Sequence, residues 1–148
     1  MENMNREILF RGKHIHAMDS NEHLNGTWVH GYLSDKNYIY DKSLEGEFLV
    51  DENTICQYTG LTDKNGKKIF EGDVVKDSAG VCGEVKFGLY AAGFSIPDTN
   101  QGFYIEFPEE SLYRKELGYW ENKVVVIGNI YDSPKLLEDK ENKHGEDI

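Results

Sequence analysis

The segment YTGLTDKNGKKIFEGDVV, residues 58–75, sets three acids and three glycines within one short span. Oxygen-bearing side chains at alternating positions are what a calcium loop requires, and Asp63, Asn65 and Glu71 invite that reading. The spacing defeats it: counted from Asp63, the fifth position is Lys67, the glycine falls fourth instead of sixth, and the twelfth position is Val74. Asn65-Gly66 is the dipeptide most tolerant of positive φ, so a type I′ hairpin is expected here, flanked by Leu61 and by Ile69-Phe70.

Other reactive residue types are sparse. His14 and His16 stand two apart, as ligands on one strand face would, and His23 follows in sequence. Two histidines do not complete a zinc site, and solvent-facing strand histidines are the expectation. Cys56 and Cys82 sit in strand-like runs without a CxxC partner and read as small buried hydrophobes, not as a disulfide or metal ligands. His30, between Trp28 and Tyr32, reads as an imidazole on an aromatic-flanked strand face before it reads as a general base. No glycine-rich run followed by lysine opens a helix, and no GxGxxG occurs. No catalytic residue, metal or cofactor is assigned.

The elements that would position these residues are mostly strands. EILF leads into RGKHIHAM, with Gly12 suited to a bulge. TWVHGYL, residues 27–33, puts Trp28, His30 and Tyr32 on one face and Thr27, Val29 and Leu33 on the other. YIY, EFLV and TICQY continue the period of two. After the 58–75 segment, VVK and VCGEVKFG are joined by DSAG as a meander. Residues 88–102 read as a long loop, and GFYIEF as a strand. PEESLYRKELG reads as a short helix beginning at Pro108 and ending before Gly118. KVVVIGNIY, apolar on both faces, reads as a central strand. Ser133 and Pro134 open a last helical turn through Leu136 and Leu137. Trp28, Tyr32, Tyr38, Tyr40, Phe48, Tyr58 and Phe70 are expected chiefly in the core, with a binding groove as the other use for them.

These readings converge on a mainly β fold: an SH3-like small barrel with additional N-terminal strands and one or two short helices. The expected organisation is a single domain over residues 1–137, barrel-like over about 54–132, with a polar tail at 138–148. The chain has 148 residues, 18 aromatics and a net charge of −11. Such acidity disfavours nucleic acid as a partner, because phosphate binding needs clustered Lys and Arg. No window reaches the roughly 18 apolar residues of a membrane span. MENMNREILF has no apolar h-region, so a cytoplasmic location is expected.

Three ordered blocks carry a family resemblance. YTGLTDKNGKKIFEGDVV resembles the signature of the YopX family of phage and prophage proteins; REILFRGK resembles that family's opening, and VVVIGNIYDSPKLL its close. The resemblance spans residues 5–137 in outline and implies that residues 1–3 are an extension or that Met4 is an alternative start. It implies an SH3-like, β-rich fold and brings no catalytic residues. Tyr58, Gly60, Asp63, Asn65, Gly66, Glu71, Gly72 and Asp73 lie in the signature loop, where glycines at positive φ and acids capping amides are a structural explanation. The expected function is that of a non-enzymatic phage accessory protein that binds another protein or a second copy of itself through a β edge or aromatic face. The alternatives are a nucleic-acid-associated small barrel and a hydrolase using His30 or the acids around Asp63.

Overall fold

Alternation of apolar and polar residues buries one face of each strand in the first part of the chain. The computed structural model describes residues 7–15, 26–91, 99–108 and 113–137. Two compact units divide the chain, Met1–Gly60 and Leu61–Ile148. In the first, β1 (Phe10–Lys13), β2 (Trp28–Asp35), β3 (Tyr38–Asp41) and β4 (Gly46–Leu49) precede β5 (Cys56–Thr62), which runs on into the second unit. The order across this sheet is β4-β3-β2-β1-β5, with antiparallel pairing. Val29, Ile39 and Val50 form its buried core, with Phe10, Phe48 and Ile55 packed around them. Trp28 and His30 lie opposite Lys13 and Arg11 on the other face, as the alternation predicts.

Two details of this sheet depend on glycine's size. Gly12 makes no bulge: it continues the ladder opposite Val29, and a Cβ there would come within 3.0 Å of the Val50 side chain. Gly31 lets β2 and β3 close up, because a Cβ at this position would fall on the backbone oxygen of Tyr40.

The second unit holds β6 (Lys68–Phe70), hydrogen-bonded to β5 as a hairpin, and a four-stranded antiparallel sheet. That sheet comprises β7 (Asp73–Lys76), β8 (Cys82–Ala91), β9 (Thr99–Glu106) and β10 (Val125–Asn129), in the order β10-β7-β8-β9. A one-turn helix, α1 (Leu117–Trp120), precedes β10. The core gathers Ile69, Val75, Val85, Ile105, Leu117, Trp120 and Val124. Against it stands an aromatic group in which Phe107 lies 4.9 Å from Tyr113 and 5.3 Å from Trp120, ring centre to ring centre. The class is therefore mainly β, consistent with a small barrel-like fold, with antiparallel strands and, among the described residues, one short α-helix between strands.

Several boundaries differ from the sequence reading. The expected loop at 88–102 is largely strand: β8 reaches Ala91 and β9 starts at Thr99, leaving only 92–98 outside the described residues. Its glycines hid the pattern, since Gly88 and Gly102 pair with each other while the flanking Phe87 and Phe103 form a cross-strand aromatic pair. The helix expected over 108–118 is displaced. Tyr113–Lys115 are not helical, Glu116 forms a bridge to Tyr104, and α1 takes in Gly118, which had been expected to end the helix. Tyr104 and Ile105 draw the 115–116 segment onto the edge of β9, and this tertiary pairing overrides the capping pattern. Residues 109–112 of that expected helix lie outside the described residues. β10 is an edge strand, not a central one; its outer side is covered by the Asp63–Lys64 turn instead of a neighbouring strand. The last helical turn begins at Leu136, where the Leu136 amide donates to the Ser133 carbonyl at 3.1 Å.

Gly31→Ala is expected to destabilise the chain by at least about 1–3 kcal/mol, because backbone atoms must move to admit the methyl. Urea denaturation checks it; an unchanged midpoint would show that β2 and β3 do not need so close an approach.

Candidate functional site

Two hairpins of the second unit are closed by the same five-residue arrangement. In Asp63-Lys64-Asn65-Gly66-Lys67 the Gly66 amide donates to the Asp63 carbonyl at 3.0 Å and the Asp63 amide to the Lys67 carbonyl at 2.8 Å. In Asp77-Ser78-Ala79-Gly80-Val81 both equivalent distances are 3.0 Å. Gly66 and Gly80 have φ of 84° and 89°. This is the three-residue hairpin loop in which a type I turn is followed by a left-handed glycine. The expected type I′ turn is not formed: among the described non-glycine residues, positive φ occurs at Glu45 and Asn122, not at Asn65. The aspartate decides the outcome. Asp63 Oδ1 accepts from the amides of Asn65 at 2.8 Å and Lys67 at 2.9 Å, and Asp77 Oδ1 from those of Ala79 and Val81, both at 2.9 Å.

Asp63 goes further than Asp77. Its Oδ2 accepts from the Val126 amide at 2.9 Å, and the residue is only 1% exposed. Burial alone would raise its carboxyl, but the amides of Val126, Lys67 and Asn65, aided by the Lys67 charge, hold it below the ordinary value. Asp73, also buried, spans the next corner: its Oδ2 accepts from the Phe70 amide at 2.7 Å. Inside that corner Gly72 has φ of 89°, donates its amide to the Val85 carbonyl at 2.8 Å and accepts at its own carbonyl from Ile130 at 3.0 Å. A side chain at Gly72 would be strained by that φ whatever the space around it. Gly60 shares the same φ of 89° on β5, and the Tyr58 amide donates to the Leu9 carbonyl at 2.8 Å.

Two members of the signature, Glu71 and Gly72, meet a concavity. With Glu84, Val85, Lys86, Phe87, Ile130 and Tyr131 they line an open cleft of about 220 Å³. Small-molecule sites usually run to ~300–1,000 Å³. Burial raises the Glu84 carboxyl, Lys86 opposes that shift, and the charges of Glu106 and Glu71 add to it.

The remaining candidate residues are not among those that line this cleft. His14 is buried, contrary to the solvent-facing expectation: its Nδ1 is 2.8 Å from the Leu49 carbonyl, and its ring packs edge-on against Phe48. His16 and His23 lie outside the described residues, among which no three His, Cys, Asp or Glu side chains are grouped to hold a metal ion. His30 is exposed; such desolvation as it meets and the Arg11 charge lower its imidazole, against the pull of Asp41. Cys56 and Cys82 are buried thiols. Of the seven aromatics expected in the core, Tyr58 and Phe70 are buried, Trp28, Tyr40 and Phe48 half-buried, and Tyr32 and Tyr38 exposed. Strands β2 and β3 pair Tyr32 with Tyr40 on the face away from the core, and the Arg11 guanidinium stacks 4.6 Å from the centre of the Trp28 ring.

Sequence reasoning missed two features. Asp41, 5% exposed, ties the β3–β4 connection: Oδ1 accepts from the Ser43 amide at 3.0 Å and hydroxyl at 2.7 Å, and Oδ2 from the His30 amide at 2.9 Å. Its place in DKSLEG, an acid opening a turn, was the available signal. The second is the outer half of the β8–β9 hairpin. The face that buries Val85 and Ile105 continues outward through the pairs Phe87–Phe103 and Leu89–Gln101, where Phe87 is 52% and Leu89 71% exposed. β7 pairs with β8 only at Cys82–Glu84, so no strand flanks this outer segment among the described residues. Among the described residues no helix is long and apolar enough to cross a membrane.

A family model described as YopX protein matches residues 9–138. The chain belongs to the YopX family. The match runs through the signature turn and the closing VVVIGNIYDSPKLL block, and it enters at Leu9, within REILFRGK. No curated protein matches the chain. In this YopX-family chain, the signature residues thus include two buried aspartates bonded to main-chain amides, three glycines at positive φ, and Glu71, which lines the cleft with Gly72.

Asp63→Asn turns an amide nitrogen toward backbone donors and is expected to cost about 1–3 kcal/mol, with a smaller loss for the half-buried Asp77→Asn. The ordinary Asp carboxyl value is 3.8 and that of folded Asp63 lies below it. Its contribution to stability is therefore complete above that ordinary value and lost as pH falls through the folded one. Denaturation measured across acid pH should show the gap between the native chain and Asp63→Asn closing below about pH 4. A gap that stays constant would dissociate the carboxylate from the stability of the turn.

Proposed function

We propose that this YopX-family chain is a non-enzymatic accessory protein of the phage or prophage type, whose work is to bind protein. The supporting observation is the outer β8–β9 hairpin, a two-stranded arm whose core-facing side runs on past the core with Phe87 and Leu89 exposed. A two-stranded ribbon is only marginally stable in water by itself, and an apolar face left open on one suits a protein partner. The signature aspartates serve the backbone in this reading, since the carboxylate oxygens of Asp63 already take three amide donors and Asp73 takes one.

A photo-crosslinking side chain placed at Leu89, with Lys64 as an exposed control position, tests the reading in cells that make the full chain. Protein adducts should form at position 89 and not at 64. Equal yields at the two positions, or none at either, would remove the arm as a binding surface.

A further inference from the structure

We infer that the partner seated on the β8–β9 arm is a second copy of this chain, with the apolar faces of the two arms packed against each other about a two-fold axis. This deepens the protein-binding reading and rests on it. Charge is the first support. The chain carries −11 overall, yet between Lys86 and Glu106 its one charged residue is Asp98. Two molecules of like charge repel over most of their surfaces, and an uncharged arm is where they can meet at least cost. A partner chosen by opposite charge would instead be met by carboxylates, and none lies on the paired residues 87–91 and 99–103.

Self-complementarity is the second support. An isologous contact sets each residue against the same patch of its mate, so a charged arm would oppose itself. Here the mates are Phe87, Leu89 and Phe103, with Gln101 beside them, whose amide both donates and accepts. The same sheet face is core one pair further in, where Val85 and Ile105 are fully buried, and a second arm laid over it prolongs that core. Soluble chains guard open ribbon edges with lysine, proline or charge, and residues 99–103, TNQGF, carry none of these. The other sheet edges differ. Strand β4 presents Glu47, β6 is three residues long with Lys68, and β10 is covered by Lys64 and by Leu136 beside Gly128.

Sedimentation velocity on the full chain at about 1–100 μM tests the inference. The native chain should associate, and more strongly as salt screens its net charge. Leu89→Glu, at an exposed position, should weaken association at least about tenfold while leaving the circular dichroism spectrum unchanged. Mixing Leu89→Glu with Leu89→Lys should restore it. A monomer throughout that range, or association indifferent to Leu89→Glu, overturns the inference. The two readings then separate: a monomeric chain whose position 89 crosslinks to a different protein retains the binding function and loses the self-association. Absence of both association and adducts removes both.

Discussion

A single buried carboxylate joins the first turn of the second unit to strand β10. Asp63 takes amide donors from its own turn and, 63 residues further on, from Val126 at the start of β10. An ionised group with 1% exposure persists only where hydrogen bonds replace the water it has lost, and three charge-assisted bonds do so. Beside it the Lys64 amide donates to the carbonyl of Val124, a fully buried core residue, so the turn and the edge strand are joined at two adjacent points. β10 consequently needs no further strand on that side. Its position next to β7 places Ile130 to reach Gly72, which closes the corner that Asp73 spans.

The same chemistry recurs with different reach. Asp77 closes the β7–β8 hairpin in the manner of Asp63 but stays half-buried, and beyond its turn it meets a side chain, the Tyr113 hydroxyl, instead of a main-chain amide. Asp41 does in the first unit what Asp63 does in the second, linking its own turn to a more distant amide, that of His30. The two acids that bond main-chain amides beyond their own turns, Asp63 and Asp41, are thus buried. The acidity of the chain is partly architectural, because some of its carboxylates act as fixed acceptors within small β-turns.

The β8–β9 arm contrasts with this. Where the body of the second unit is held by buried carboxylates and a valine-rich core, the arm has cross-strand aromatic pairs, Phe87–Phe103 and the stacked Tyr90–Tyr104, and among the described residues no ion pair beyond Lys86–Glu106 at its root. Aromatic pairing keeps a two-stranded ribbon in register without burying both its faces. One side of the arm is therefore open to contact from another molecule.

Much of the fold was legible from residue order alone. Period-two alternation located the strands of the first unit, and Asn65-Gly66 and the segment DSAG located two hairpin loops, because turn geometry depends on glycine and polar side chains acting over a few residues. The family signature was equally visible, carried by Tyr58, Gly60, Asp63, Gly66, Glu71, Gly72 and Asp73. Contacts distant along the chain decided the rest. Nothing near Asp63 announces Val126, nothing in VVVIGN shows that an edge is covered by a turn, and nothing in PEESLYRKELG reveals that Glu116 will bridge to Tyr104. The arm was hidden for the same reason: Phe87 and Phe103 show their pairing only once β8 and β9 are in register, and which part of a sheet face outruns its core is fixed by packing, not by local preference.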